Sequence, residues 1–252
     1  MGIQMEGINF SYGDKKVLKD INLSIQTGEH IGIIGFSGCG KSTLLKLISG
    51  LYIAREGYIE VEGDTNPIQI RRHIALVMQN TVLLPLSIKE NITCGHSYDD
   101  EIIKQACEVA QLTEWIATLP GGIDTLVGER NGNISGGQAQ RIAIARALAK
   151  AISLTEMKSI PKPIYSTKPN EITKTNDNTI KNTTIFKSDT YSPVLILDEA
   201  TSALDSDTSN AVLMALKNLT KNMTVITVTH RPEALIDVNQ LYRLEEGILV
   251  HA

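Results

Sequence analysis

Aromatic side chains are scarce in this chain: Phe, Tyr and Trp together make up 4% of its 252 residues. Proteins that hold single-stranded nucleic acid stack its bases on aromatic rings, and this supply is too thin for such a platform. A basic excess is also missing. The formal charge at pH 7 is −4, whereas binding a phosphate backbone needs a positive surface, so no nucleic acid is expected as partner. No apolar run nears the roughly 18 residues of a membrane-crossing helix, and no signal-peptide pattern opens the chain. Cysteine is limited to Cys39, Cys94 and Cys107, without metal-ligand spacing. An odd count with no secretory signal points to free thiols in a reducing compartment. What remains, 42% hydrophobic and 21% charged residues, is a globular composition, and the length suits one large domain or a core with a smaller lobe.

Hydrophobic patterning predicts an α/β fold. "IQMEGINF" and "LKDINLSI" alternate in part as strands around the turn-like "YGDKK". "HIGIIG" reads as a short buried strand that runs into a glycine-rich loop and the helix "KSTLLKLISG", with Gly50 suited to its C-terminal cap. "GYIEVEG" and "IALVMQ" follow as strands. The pattern turns helical from about Ser87 to Lys150, and "DDEIIKQACEVAQL" begins with acidic residues suited to a helix N-terminus. "VLILDEA" and "TVITVTH" read as buried strands of a parallel sheet covered on both faces, and "LYRLEEGILV" as a closing hairpin. Four segments are expected: a β region with part of the core over 1–86, a helical lobe over 87–150, an insert over 151–192 and the rest of the core over 193–252. The insert is crowded with Lys, Thr, Asn, Ser and Pro. Such a composition buries too little apolar surface to offset ordering, so it is expected to be a flexible surface loop; a segment that folds on contact with a partner is the alternative.

"GFSGCGKST", Gly35 to Thr43, fits G-x-x-x-x-G-K-[ST] between a predicted strand and a predicted helix, the context of a P-loop. Gly35, Ser37, Gly38, Cys39 and Gly40 form a loop whose N–H groups can turn toward the phosphates of a nucleotide. Lys41 adds a point charge for the β- and γ-phosphates, and Ser42, followed by Thr43, offers a hydroxyl to Mg²⁺. Asp198 ends the strand "VLILD", where it would hold Mg²⁺ through its water shell. Glu199 follows, where a carboxylate could take a proton from an attacking water. A second glycine-rich helix entrance, "ISGGQ" from Ile134 to Gln138, is a further place to hold an anion, or else an ordinary Ser N-cap.

These motifs resemble, in order and over nearly the whole chain outside the insert, the nucleotide-binding domain of the ATP-binding cassette (ABC) ATPases. "ISGGQ" looks like the family's signature sequence. The resemblance implies a RecA-like P-loop core, an N-terminal antiparallel β region and a helical subdomain that ends in the signature helix. It also implies head-to-tail pairing with a second nucleotide-binding domain. Ser135, Gly136, Gly137 and Gln138 would then cap an ATP resting on the other P-loop. Tyr12 in "FSYG" matches the aromatic that stacks on adenine, and Gln79 in "VMQN" the glutamine that joins the Mg²⁺ and water site to the helical lobe. His230 in "VTHR" matches the histidine that touches the γ-phosphate, and Asp205 ends "SALD", the loop that crosses the dimer interface. Each has a plainer structural reading: Tyr12 as a core residue, Gln79 and His230 as polar strand ends, Asp205 as a helix cap. "TLVGERNGNISGG" is similar to the stretch that precedes the signature in exporters, with Asn131 in place of a glycine and Ile134 in place of a leucine.

The expectation is an ATPase with ATP and Mg²⁺ as cofactors. It would lie at the cytoplasmic side of a membrane, attached through a transmembrane partner, in cis or trans, of an exporter-type transporter. A soluble ABC ATPase acting on ribosomes or DNA and a nucleotide-gated interaction module that does not hydrolyse are the alternatives.

Overall fold

The computed structural model describes residues 2–127, 134–156, 192–231, 235 and 237–252. Strand β1 (Ile3–Tyr12) pairs antiparallel with β2 (Lys15–Ile25), and β4 (Glu56–Val61) joins the other edge of β1, giving a sheet of order β2-β1-β4. Ile21, Leu23 and Ile25 of β2 are buried while Asn22 and Ser24 between them are not, a two-residue alternation that gives this sheet one apolar face.

The second sheet has the order β5-β6-β7-β3-β8-β9. Here β5 (Ile74–Val77), β6 (Val194–Asp198), β7 (Thr224–Val228), β3 (His30–Ile34) and β8 (Gln240–Glu245) run parallel, and β9 (Ile248–His251) closes an antiparallel hairpin with β8. Alternate residues of β6 enter different cores. Val194 and Ile196 pack with β1, β2 and helix α1 (Lys41–Ile48), whereas Leu195 and Leu197 pack with the helices of the opposite face. That two-sided burial is why the strand reads as an unbroken apolar run.

The opposite face carries α3 (Ile88–Thr93), α4 (Asp100–Val109), α6 (Gly136–Glu156) and α7 (Ser206–Leu219). Helix α3 starts at a capping box in which Ser87 Oγ accepts from the Glu90 N–H and Glu90 Oε2 accepts from the Ser87 N–H. Helix α6 is buried nearly all round through Ile142, Ile144, Leu148, Ile152 and a run of alanines whose small side chains allow close packing. It holds the lobe together: Arg146 Nε donates to Asn91 O at 2.7 Å, and the buried Asn91 ties α3 to Leu84.

Two differences from the sequence reading stand out. Helix α6 continues to Glu156, with Ala151, Ile152 and Ser153 buried, so the expected boundary after Lys150 falls inside a helix. "AISLTE" keeps feeding the apolar core and contains neither Gly nor Pro to stop the helix. Helix α2 (Pro67–His73) was not expected, and α5 (Thr113–Ala117) is a short element within the expected helical stretch. The signal for α2 was present: Asn66 Oδ1 accepts from the Ile68 N–H at 2.9 Å, and Pro67 occupies the first helical position. Of the expected insert over 151–192, residues 157–191 lie outside the described residues, as does the 128–133 part of the exporter-like stretch.

Candidate active site

Ligands in open α/β sheets bind outside the carboxyl ends of the strands, and that end of the parallel sheet gathers the chemistry here. Gln79 follows β5, Asp198 and Glu199 end and follow β6, His230 follows β7, and the loop from Gly35 leads from β3 into α1. Together with Tyr12 they line a cavity of about 820 Å³, along with Ser37, Gly38, Cys39, Gly40, Lys41, Ser42 and Thr43.

The P-loop is held by its own lysine. Lys41 Nζ donates to Gly35 O at 2.7 Å and to Phe36 O at 2.9 Å, which brings the ammonium to the mouth of the loop. Gly40, the residue before α1, has φ 113°, a conformation that disfavours any side chain, and a Cβ there would come 3.0 Å from Leu18 Cδ2. Tyr12 is 46% exposed. Its hydroxyl lies 3.2 Å from Thr43 Oγ1, and its ring stands at 86° to Phe10 and 82° to Tyr52. The edge contacts brace the ring beside the cavity.

Ser42 Oγ donates to Asp198 Oδ2 at 3.0 Å. Burial raises the pKa of Asp198, opposed by that hydrogen bond and by the Lys41 and Lys46 charges, while Glu199 adds to the rise. The pair supplies adjacent hard oxygen donors, the chemistry that suits Mg²⁺, which keeps several waters and takes few protein ligands. Among the described residues, no group of three or more His, Cys, Asp or Glu could hold a metal by itself. One hydroxyl and one carboxylate fit a cation that takes few protein ligands.

Glu199 has φ 51°, left-handed and unusual for a residue with a β-carbon. Its N–H donates to Val228 O at 2.9 Å, and its Oε1 accepts from the His230 N–H at 3.1 Å and lies 2.8 Å from His230 Nδ1. The Glu199 side chain is 8% exposed and that of His230 62%. The carboxylate is thus aimed by its neighbours, with the imidazole beside it reaching outward.

The second cradle lies elsewhere. Ser135 and Gln138 form a capping box at the start of α6: Ser135 Oγ accepts from the Gln138 N–H at 3.2 Å, and Gln138 Oε1 accepts from the Ser135 N–H at 2.9 Å. None of Ser135, Gly136, Gly137 and Gln138 lines the P-loop cavity. Ser135 and Gly136 are exposed, a Cβ at Gly136 would meet nothing within 4 Å, and one at Gly137 would come 3.2 Å from Ala203 O. Asp205 also lies outside the cavity; its Oδ1 accepts from the Thr208 N–H at 2.9 Å and caps α7. Residues that the sequence reading did not single out line the cavity too: Lys15, Lys16, Val17 and Lys19 of β2, and Glu246 and Gly247 of the β8–β9 turn. The basic run after Tyr12 was the available signal for the lysines; the hairpin turn reaches β2 through the Lys19 N–H, which donates to Gly247 O at 2.8 Å.

With a P-loop, a strand-end Asp-Glu pair and a separate Ser-Gly-Gly helix entrance on one α/β core, the site is that of a P-loop nucleotide-binding protein. The ABC transporter family model matches residues 18–155, and the chain belongs to that family. The matched segment ends one residue before the end of α6 and contains both cradles. The chain is 34% identical over 253 residues to an ATP-dependent lipid A-core flippase of Desulfotalea psychrophila (strain LSv54 / DSM 12343), an alignment covering 98% of this chain and 37% of the flippase. Among solved structures it is similar to an ATP-bound bacterial Atm1-family ABC exporter, with a TM-score of 0.76 and 28% identity, covering 98% of this chain and 38% of the exporter chain. The chain thus spans just over a third of the length of these relatives. Family membership brings ATP binding with it. Among the described residues, no helix is long and apolar enough to cross a membrane.

Proposed function

We propose that this chain is the ATP-hydrolysing unit of an exporter-type ABC transporter and works as a head-to-tail pair. One observation carries the reading: the two anion cradles of a single chain do not meet. The P-loop opens into the cavity, while Ser135 and Gly136 are exposed outside it. Gly136 has open space where a side chain would stand, which leaves room for the phosphates of an ATP carried by another copy or another domain.

In this reading Tyr12 offers its ring to adenine, the P-loop N–H groups and Lys41 hold the phosphates, and Glu199 takes the proton of the attacking water. Gln79 and His230 orient that water and the γ-phosphate. Ser42 and Asp198 would hold Mg²⁺, which when bound supplies charge neutralisation for the phosphates. Phosphoryl transfer needs little beyond positioning and electrostatics. Closure of the pair is the mechanical output. Swinging an open–closed equilibrium from 1:99 to 99:1 takes about 5.5 kcal/mol of preference for the closed form, a demand that two ATP molecules, each bridging a P-loop and a signature, can meet. Membrane-spanning partners, in the same polypeptide or another, would convert closure into transport from the cytoplasmic side of a membrane. The four segments keep their proposed roles, with the helical lobe extended to Glu156.

Complementation tests the pairing. Ser135→Arg is expected to lower turnover about 100-fold or more, the scale of losing oriented transition-state contacts, with the ATP affinity of the monomer within about twofold. Lys41→Ala should lose ATP affinity at its own P-loop. Mixed together, the two inactive chains should recover turnover, because one composite site then joins the normal P-loop of the first to the normal signature of the second. Loss of monomeric ATP binding in Ser135→Arg would place both cradles on the same nucleotide and overturn the reading.

A further inference from the structure

Gln140 lies two residues beyond the signature on α6 and is 2% exposed. Its side chain does not reach the cavity, yet it is fully engaged. Nε2 donates to Glu199 O at 2.9 Å and lies 3.4 Å from Ser202 Oγ, while Oε1 accepts from the Ala203 N–H at 2.8 Å. A backbone carbonyl can only accept and a backbone N–H can only donate. The two ends of a primary amide match that pattern, and neither a carboxylate nor a hydrocarbon of the same length does.

The carbonyl it holds belongs to a residue whose backbone is left-handed without being glycine. Glu199 sits at φ 51°, a conformation that persists only where the surroundings over-determine it. Its N–H is fixed by Val228 O and its carboxylate by His230. Its carbonyl is held twice, by the Ser202 N–H at 3.0 Å and by the Gln140 amide, the side-chain donor that reaches it from α6. We infer that Gln140 is a positioning residue for hydrolysis: it holds Glu199 in the left-handed conformation that aims the carboxylate at the attacking water. Because Gln140 rides on the helix whose N-terminus is the signature, it also ties Glu199 of one ATP site to the cradle that caps the other.

This rests on the head-to-tail reading, and the complementing pair separates the two ideas. In that pair the working site takes its P-loop and Glu199 from the Ser135→Arg chain and its signature from the Lys41→Ala chain. Gln140→Met, close in volume but without the amide, is introduced into one chain at a time. Placed in the Ser135→Arg chain it should lower kcat about tenfold or more, with KM for ATP within about twofold; placed in the Lys41→Ala chain it should leave kcat within about twofold. Gln140→Glu, which keeps an acceptor for Ala203 but sets an oxygen against Glu199 O, should act like Gln140→Met. ATP binding at the untouched P-loop of the Ser135→Arg chain reports that the variants placed in that chain are folded, and the retained turnover of the pair reports it for Gln140→Met in the Lys41→Ala chain. An equal loss from either chain would make Gln140 a general packing residue and overturn the inference, as would wild-type kcat in either variant of the Ser135→Arg chain. A pair without turnover before any change at Gln140 would overturn the head-to-tail reading itself.

Discussion

The two glycine-rich cradles use their glycines for different physical reasons. At the P-loop, Gly40 is required by the fold of its own chain: its φ of 113° excludes ordinary side chains, and Leu18 and Val17 crowd the place where a Cβ would stand. At the signature, Gly136 has no positive φ and nothing within 4 Å of an added Cβ. One cradle is shaped from within, by β3, α1 and the first sheet. The other is an exposed helix end with open space at Gly136, the clearance that the proposed second body would use. The same residue type thus reports conformation in one place and clearance in the other.

The largest expected effect comes from the site the first cradle serves. Glu199→Gln should reduce turnover by about 100-fold or more, the usual contribution of a positioned proton acceptor, while ATP binding persists and an ATP-bound pair accumulates. Phosphate release and size-exclusion chromatography with ATP check this, and normal turnover would remove Glu199 from its assigned role.

A smaller and sharper contrast compares the glycines directly. Gly40→Ala should weaken both fold and ATP binding, since φ 113° and the Leu18 contact oppose the new methyl. Gly136→Ala should leave the fold as stable or more stable by about 0.4–1 kcal/mol, through the lower entropy of the unfolded chain, and leave monomeric ATP affinity unchanged. It should still slow turnover about tenfold by filling the space reserved for the second body. Thermal melts and titrations with a fluorescent nucleotide separate the two. A Gly136→Ala enzyme with wild-type turnover would count against clearance as the reason for that glycine.

The smallest effect is expected between the described ends of α6 and β6. Glu156 ends the helix that begins at the signature, and Val194 opens β6 at the end opposite Asp198. Replacing residues 159–188 with a short Gly-Ser linker should keep turnover within about twofold, because both anchors stand away from the catalytic strand ends and loop closure depends only weakly on length. A tenfold loss in the purified protein would give that segment a part in the site.

Much of this arrangement is legible in the sequence, and the reasons are local. A strand, a glycine-rich turn and a helix are contiguous in "HIGIIGFSGCGKSTLLKLIS", so the P-loop is written in one stretch with its context. The apolar run of "VLILD" announces a strand buried on both faces. Ser135 and Gln138 stand at capping-box spacing, so their mutual hydrogen bonds are a property of neighbours on one helix end. Helix α2 was readable by the same logic, from Asn66 and Pro67, but its seven residues carry too short a periodicity to stand out. The end of α6 was harder still, because buried alanines and a polar sequence after them blur the point where apolar spacing stops.

The chain by itself therefore determined the elements, the P-loop, the acidic strand end and the second helix entrance, because each depends on residues a few positions apart. Only the tertiary structure decided what joins them. The parallel order β5-β6-β7-β3 sets Gln79, Asp198, Glu199, His230 and Lys41 along one cavity, although they are spread over much of the chain. Gln140 meets Glu199 across 59 positions of sequence, and the left-handed turn at Glu199 has no glycine to mark it. Spacing along a chain encodes caps and turns, whereas a hydrogen bond between two elements exists only once packing has chosen their distance and angle.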